Sequence, residues 1–214
     1  MRTLLICMAW LSATMSAAGI AQSSSGTAAG ATASMAVLLD NARVHVVRVY
    51  QTPSASVGVA SRGPAVIVPL DDGASRKMGQ AYWVVDASAR EAIDGPGTFI
   101  IVQPKERAGS SAAPATKPGT APFTGMSFDP IFENDRVAVT RARMEESARE
   151  GLHTHAADTI VVHLTGGEIE DTAEGKTVVN RPRRGDVEFE SKGSSHSARN
   201  LGAAVDVVLV TLKP

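Results

Sequence analysis

The feature that most constrains the fold of this chain is an internal repeat. Residues 39–44 (Leu-Asp-Asn-Ala-Arg-Val) match residues 132–137 (Phe-Glu-Asn-Asp-Arg-Val) at an offset of 93 residues. The same offset aligns further arginine, glycine and isoleucine positions without a gap, and beyond them Gly79 pairs best with Gly185. Each copy then closes on an apolar run that ends near a lysine. A repeat of this length predicts two similar domains in tandem.

Each copy consists of short β-branched runs separated by turn residues. Residues 44–49 and 137–142 lead the two copies with partial alternation of apolar and polar side chains. Many short strands with regular turns are typical of a sandwich or barrel. Only residues 87–92 and 145–150 have helical potential, and both segments are short. We therefore predict an all-β fold made of two barrels.

The N-terminus predicts export. Residues 1–21 combine one early arginine, a short apolar core and a tail of small residues, which is typical of a secretory signal peptide. Cleavage is predicted after Ala18 or Ala21, giving a periplasmic or secreted protein. Residues 22–36 are predicted to be disordered because their composition is small and polar. Cys7 is the only cysteine and leaves with the signal peptide, so no disulfide is expected.

The remaining chain divides into two predicted barrels, residues 37–105 and 127–214, joined by a flexible linker at residues 106–126 rich in glycine, serine, alanine and proline. The balance of 21 basic and 22 acidic residues argues against a nucleic-acid surface. No second long apolar run exists, so no stable membrane anchor is expected. A homodimer formed through sheet edges is compatible with the sequence, although a tandem pair can cover its own edges.

Three histidines in the second copy have the spacing of a metal site. His153 and His155 alternate along a predicted strand, so they project from one face with Cα atoms roughly 6.5 Å apart. His196 lies in a turn that leads into a later strand. If that strand is a neighbour, three imidazoles face one point. Such a set suits a divalent transition metal, namely Fe, Mn, Ni, Cu or Zn.

Two motifs around these histidines resemble those of the cupin superfamily. The positions that match the first motif are His153, His155 and Gly166. The positions that match the second motif are Gly185, Gly193, His196 and Asn200. The resemblance is strong over residues 128–214 and weak over residues 37–105. It implies two double-stranded β-helix (jelly-roll) barrels in tandem, a bicupin whose first domain is degenerate.

The sequence departs from the family pattern at the fourth ligand. Thr159 stands where the family has a glutamate, and a threonine cannot serve as an anionic ligand. A site of three histidines alone carries a higher positive charge and leaves more positions to water, substrate or an anion. Asp158 is adjacent, but strand alternation turns it away unless the backbone bulges. Glu188 and Glu190 share a face, and we predict that both are exposed at the surface.

The other histidines and the first copy are predicted to play no part in metal binding. His163 lies four residues beyond Thr159, roughly 13 Å along the strand, so we interpret it as a hydrogen-bonded interior residue or one at the contact between the two domains. His45 has no partner histidine and is interpreted as structural. The ungapped alignment places at the ligand positions of the first copy the residues Ala60, Arg62 and Val66, with Arg90 near the place of the third histidine. This set cannot hold a metal.

Two functions remain open. The cupin resemblance allows a metal-dependent enzyme of the oxygenase or isomerase type that acts on a small molecule. The alternative is a non-catalytic protein that binds a small ligand, with the metal incidental or absent. No general base stands out beside the histidines in the sequence. The character of the barrel mouth around Thr159 discriminates the two, because acids or bases there favour an enzyme and apolar side chains favour a binding protein.

Overall fold

The computed structural model describes residues 34–52, 63–86, 93, 95–105 and 123–213. Within them the chain forms strands only, and no helix there is long and apolar enough to cross a membrane. In chain order the strands are β1 (Ser34–Asp40), β2 (Val44–Gln51), β3 (Ala65–Pro69), β4 (Tyr82–Val84), β5 (Gly97–Pro104), β6 (Phe123–Glu133), β7 (Val137–Thr154), β8 (Thr159–His163), β9 (Ile169–Ala173), β10 (Lys176–Asn180), β11 (Val187–Glu190), β12 (Ser195–Asn200) and β13 (Val205–Leu212). The predicted all-β class is confirmed.

The described residues start each unit a little earlier than the sequence predicts. β1 begins at Ser34, within the segment predicted to be disordered, and β6 begins at Phe123, within the predicted linker. The predicted signal peptide lies outside the described residues, as does most of the predicted linker.

The strands form two antiparallel sheets. The first has the order β1-β2-β5-β3-β4, and the second has the order β10-β9-β12-β7-β13-β8-β11, with β6 also paired to β7. The long strand β7 joins the two halves of the second sheet, because its first part pairs with β13 and its last part pairs with β12. Between these parts Ser147 adopts a φ of 62°, which turns the strand. The second sheet therefore curls around a cavity.

The helical potential of residues 145–150 is wrong as a structural prediction, because these residues lie inside β7. Local propensity is outweighed there by pairing with strands that are distant in sequence. The other segment with helical potential, residues 87–92, lies outside the described residues.

The repeat recurs in the structure. The order β1-β2-β5-β3-β4 of the first unit is matched by β6-β7-β13-β8-β11 in the second. The Asn41 side chain accepts hydrogen bonds from the backbone N–H groups of Arg43 and Val44, at 2.7 and 2.9 Å. Asn134 does the same for the equivalent turn, at 2.8 and 2.9 Å. The first and second units are thus built on one plan over these five strands.

The strand pairing corrects the ungapped alignment by one residue. The pairing of β3 with β5, and of β8 with β13, makes Val66 the counterpart of Ile160 rather than of Thr159. Ala65 therefore stands at the position of Thr159. A shift of one residue matters because it exchanges the two faces of a strand. Outside the described residues lie the other aligned positions, Ala60, Arg62 and Arg90.

The two units pack face to face through a single apolar core. Its members come from alternate positions of the central strands in both sheets and are almost fully buried. They include Val44, Val46, Val66, Ile100 and Val102 from the first unit and Val137, Val139, Ile160, Val208 and Val210 from the second. Burial of one such side chain contributes about 1.5–3 kcal/mol. This shared core fixes which face of the second sheet is left for the cavity.

The two units make equivalent contacts with each other across this core. A Cβ placed on Gly79, whose φ is +74°, would lie 2.4 Å from the Leu164 side chain. A Cβ on its counterpart Gly185 would lie 2.9 Å from Leu70, the counterpart of Leu164. Each glycine also donates its N–H to a carbonyl at the end of a strand in its own unit. Gly79 donates to Pro69, the last residue of β3, at 2.8 Å, and Gly185 donates to His163, the last residue of β8, at 2.7 Å. The contact between the units is therefore close to twofold symmetric within one chain.

This contact predicts the effect of Gly79→Ala. The variant should be less stable than Gly175→Ala by roughly 1–3 kcal/mol, because the added methyl group overpacks against buried Leu164. Gly175 is the matched control: its φ of +73° gives the same backbone strain, and its Cβ would meet no atom within 4 Å. Urea unfolding of both variants measures the difference. Equal losses of stability would contradict the close contact.

Candidate metal centre

The three predicted ligands lie together at the end of β7 and the start of β12. The pairing of these strands places His196 directly opposite His153. His155 follows the end of β7, where its backbone N–H donates to Ser194 at 2.9 Å and its carbonyl accepts the N–H of Gly193 at 2.8 Å. Gly193 adopts a φ of +85°, which the tight turn before His196 requires. The family-like turn thus holds the third histidine against the first two.

The imidazoles converge on one point. One nitrogen from each ring lies within 4.8 Å of the corresponding nitrogen of the other two. The Nε2 atoms of His155 and His196 are 3.0 Å apart, and the three ring centroids are separated by 4.7 to 5.0 Å. Ligand atoms that share one transition metal ion lie at similar separations, since each is about 2.0–2.1 Å from the ion.

Two of the rings are fixed by hydrogen bonds on the side away from that point. The Nδ1–H of His153 donates to the carbonyl of Gly151 at 3.0 Å, and Nδ1–H of His196 donates to the Asp171 carboxylate at 2.9 Å. In the neutral tautomer that these bonds select, the proton lies on Nδ1 and Nε2 of each ring is available to an ion. Carboxylates and carbonyls orient metal-binding histidines in this way. Asp171 lies on β9, and no pattern in the sequence indicated it.

Glu190 occupies a different place from the one predicted. Only 22% of its side chain is exposed, and the prediction of a surface position is wrong. Its carboxylate oxygens lie 3.5 Å from His155 Nδ1 and 3.8 Å from His196 Nε2. Glu190 is partly buried because the alternate residues of β11, Val187 and Phe189, pack against the core between the units. Alternation along β11 then turns Glu190 toward the histidines.

A second carboxylate, Glu150, also reaches the cluster. Its Oε1 atom lies 3.4 Å from Nε2 of His153, three residues further along β7. Regular alternation would place residues three apart on opposite faces of the strand, so no pattern in the sequence indicates this contact. Glu150 pairs with Ala198 of β12 and His153 pairs with His196, so β7 has one extra residue between them and this bulge brings both side chains to one face.

Burial is the main cause of the pKa shifts of three side chains in the cluster, Glu150, His155 and Glu190. Burial raises the pKa of Glu190 to about 7, and nearby His196 offsets this only in part. Burial likewise raises the pKa of Glu150, against the opposing influence of His153. Burial, reinforced by the other two histidines, lowers the pKa of His155 to about 4. The imidazole is therefore held neutral, which is the form that binds a metal ion.

The donor set fits a divalent transition metal. Three neutral imidazoles with carboxylates at their edges match the ligands that such ions take in proteins. The orientation of His153 and His196 supports this fit in addition to their closeness. Histidines that only pack together would not require hydrogen bonds that fix the direction of Nε2.

The histidines open onto a cavity of about 450 Å³ inside the second barrel. Its walls are largely apolar, and they are formed by side chains that include Phe123, Met126, Phe128, Met144, Val161, Phe189, Val207 and Leu209. Thr159 lines the same cavity, but its hydroxyl lies beside Thr211 and the Ala157 carbonyl, at 3.3 and 3.4 Å. The cavity has the size of a small-molecule site with one polar end.

The remaining predicted residues lie away from the cluster. His163 is buried in the cavity wall, where its Nε2 is 3.2 Å from Glu188, and it is not part of the three-histidine group. His45 lies 3.5 Å from Asp40 in the first unit. Asp158 turns away from the site, since it pairs with Arg43 at 2.8 Å and accepts the Lys192 N–H at 2.9 Å.

Comparison with solved structures gives many matches, and the three described here cover 42–44% of this chain. A cupin domain from Bordetella pertussis Tohama I is 25% identical with a TM-score of 0.40, over 42% of this chain and 96% of that one. An RmlC-like cupin from Shewanella frigidimarina NCIMB 400 is 14% identical with a TM-score of 0.36, over 44% and 86%. A cupin superfamily protein from Desulfitobacterium hafniense DCB-2 is 15% identical with a TM-score of 0.36, over 42% and 78%.

No protein-family model and no curated protein matches the chain. Within the described residues, the second antiparallel sheet curls around a cavity onto which three converging histidines open, so the predicted all-β barrel is confirmed for this unit.

Asn200, the last residue of the second motif, supports the site from behind. It is almost fully buried, and its side-chain amide donates to the carbonyls of Met144, Glu145 and Ala203 at 3.2, 3.0 and 2.9 Å. Its side-chain oxygen accepts the N–H of Gly202 at 3.0 Å. These bonds tie β12 to β7 close to the point where β7 turns.

We expect Asn200→Asp to destabilise the fold by roughly 3–5 kcal/mol, because a buried carboxylate would face three carbonyl oxygens without a donor. Asn180→Asp is the matched control, since Asn180 is exposed at the end of β10 and a surface change is worth within about 0.5 kcal/mol. Thermal unfolding of the two variants distinguishes them. Similar midpoints would rule out the supporting role of Asn200.

Proposed function

We propose that this protein binds a divalent transition metal through His153, His155 and His196 in its C-terminal barrel. The observation that carries the proposal is the convergence of the three imidazoles, with Nδ1 of His153 and His196 engaged on the far side. Such hydrogen bonds select the tautomer in which Nε2 is free to bind an ion.

The charge around the cluster supports a bound cation. Glu150, Asp171 and Glu190 all contact the histidines, and in the described part of the chain none of them forms an ion pair with a lysine or arginine. Partly buried carboxylates without a permanently charged partner are costly. A divalent cation held by neutral imidazoles supplies the missing positive charge.

The cavity supports a small-molecule enzyme as the function. A bound metal acts as a Lewis acid that polarises a group of the substrate. The apolar walls would hold the body of a small molecule, and its polar end would face the histidines. An acidic side chain beside the histidines, Glu150, favours an enzyme over a non-catalytic binding protein, since it is a group that can accept or donate a proton. An oxygenase or isomerase type remains our proposal for the reaction.

We further propose that the first unit is a degenerate cupin domain that serves as a packing partner, and that the protein is exported. The first proposal is supported by the shared order of five strands in the two units and by their common core. The second is supported by the composition of residues 1–21.

Elemental analysis of the mature protein, purified without a histidine tag, should find a stoichiometric transition metal. The variant His153→Ala/His155→Ala should lose it, because a single remaining imidazole binds such an ion weakly. His45→Ala is the matched control: it also removes a histidine, but one that contacts Asp40 in the first unit. The proposal fails if the metal content of wild type is low and unchanged in the double variant.

Export predicts a defined mature N-terminus. Expressed in a Gram-negative host with its own N-terminus, the protein should accumulate outside the cytoplasm with residues 1–18 or 1–21 removed. Intact mass spectrometry of the periplasmic and culture fractions measures this. Full-length protein retained in the cytoplasm would count against export, and a variant with Leu4, Leu5 and Ile6 changed to Asp provides the control for a disabled signal.

A further inference from the structure

Thr159 lines the same cavity as the three histidines. The Thr159 side chain is neutral, short and buried, and its hydroxyl is already beside Thr211 and the Ala157 carbonyl. A metal held by three neutral histidines alone would have no anionic ligand from this strand.

The neighbouring strand supplies a carboxylate at the same level. In the antiparallel pair of β8 and β11, Glu190 lies directly opposite Thr159. Residues opposite one another in such a pair project from the same face, with Cβ atoms about 4.5–5.5 Å apart. Glu190 therefore starts from the position next to Thr159 and has a longer side chain with which to reach the histidines.

The contacts of Glu190 distinguish it from the other nearby acids. One of its oxygens lies 3.8 Å from Nε2 of His196, the nitrogen that faces the cluster, and the other lies 3.5 Å from Nδ1 of His155. Glu150 approaches only one histidine, at 3.4 Å. Asp171 is engaged by Nδ1 of His196, on the side of the ring that faces away from the cluster.

We propose that Glu190 is the carboxylate ligand of the metal, supplied by β11 in place of the residue that Thr159 replaces on β8. This inference rests on the proposed metal site and adds its fourth ligand. Moving the carboxylate to the next strand keeps the ligand set at three nitrogens and one oxygen.

Titration of the metal-free full-length mature protein with Co²⁺ tests the proposal. Visible absorption spectra report the ligand set of Co²⁺, and competition with a chromophoric chelator gives the dissociation constant. We expect Glu190→Gln to weaken Co²⁺ binding at least tenfold and to change the spectrum, because a neutral amide replaces an anionic oxygen. Glu150→Gln is the matched control: it removes another acid of the cluster and should keep the wild-type spectrum.

A rescue variant keeps the test independent of any loss of folding. Thr159→Glu in the Glu190→Gln background returns a carboxylate to β8 and should restore affinity and a spectrum with one carboxylate ligand. The inference is overturned if Glu190→Gln keeps the wild-type spectrum, even with a small loss of affinity, since Glu190 would then only contact His155 from outside. It is also overturned if Glu150→Gln alone changes the spectrum.

Failure of the metal site itself gives a different result. If wild type binds no Co²⁺ and behaves as the His153→Ala/His155→Ala variant does, the proposed function is wrong and Glu190 has no ion to bind. If wild type binds Co²⁺ through the histidines while Glu190→Gln leaves the spectrum unchanged, only the assignment of Glu190 is wrong.

Discussion

The central sheet of the second unit has to be buried on both of its faces, and the position of the site depends on this constraint. One face, with Val139, Ile160 and Val208, packs against the first unit. The other face, with Val161 and Leu209, lines the cavity. Because side chains alternate strictly along a strand, the contact with the first unit decides which residues face the metal site. The first unit is thus part of the apparatus that positions the site without contributing a ligand from its described residues.

The same constraint explains why the two units share a plan. Gly79 meets Leu164 and Gly185 meets Leu70, so equivalent surfaces contact one another as they do in a symmetric dimer. A contact of this kind requires the five central strands of each unit, and these are the strands that both possess. In the described residues the second unit adds β9, β10 and β12, and β9 and β12 carry Asp171 and His196. Packing accounts for the shared strands, and the site accounts for the additional ones.

The sequence predicted those parts of the site that depend on short segments. His153 and His155 are two residues apart on one strand, and His196 follows a glycine turn with family spacing, so their meeting could be inferred from local patterns. Glu190 could not be placed, because its direction depends on which face of β11 packs against the other unit. The predicted alternation along β11 is correct, but Glu190 turns toward the histidines and not, as predicted, toward the solvent.

Irregular backbone accounts for the other differences. A bulge in β7, where Glu150 pairs with Ala198 and His153 pairs with His196, lets Glu150 reach His153 although regular alternation would separate them. Residues 145–150 do not form a helix, because they belong to a long strand whose two parts pair with different partners. The one-residue change in the offset of the repeat lies between β2 and β3, where the ungapped alignment had no signal for it. Register and irregular turns are set by tertiary packing and are poorly visible in a single sequence.

The acidic surroundings reverse the electrostatic character expected for the site. Three histidines without the family glutamate would give a centre with an excess of positive charge that attracts anions. In the structure Glu150, Asp171 and Glu190 all lie against the histidines. The summed charge of three ionised carboxylates would exceed that of one divalent ion. An anionic molecule would be repelled from such a centre, whereas a neutral molecule with an apolar body suits both the charge at the mouth and the walls of the cavity.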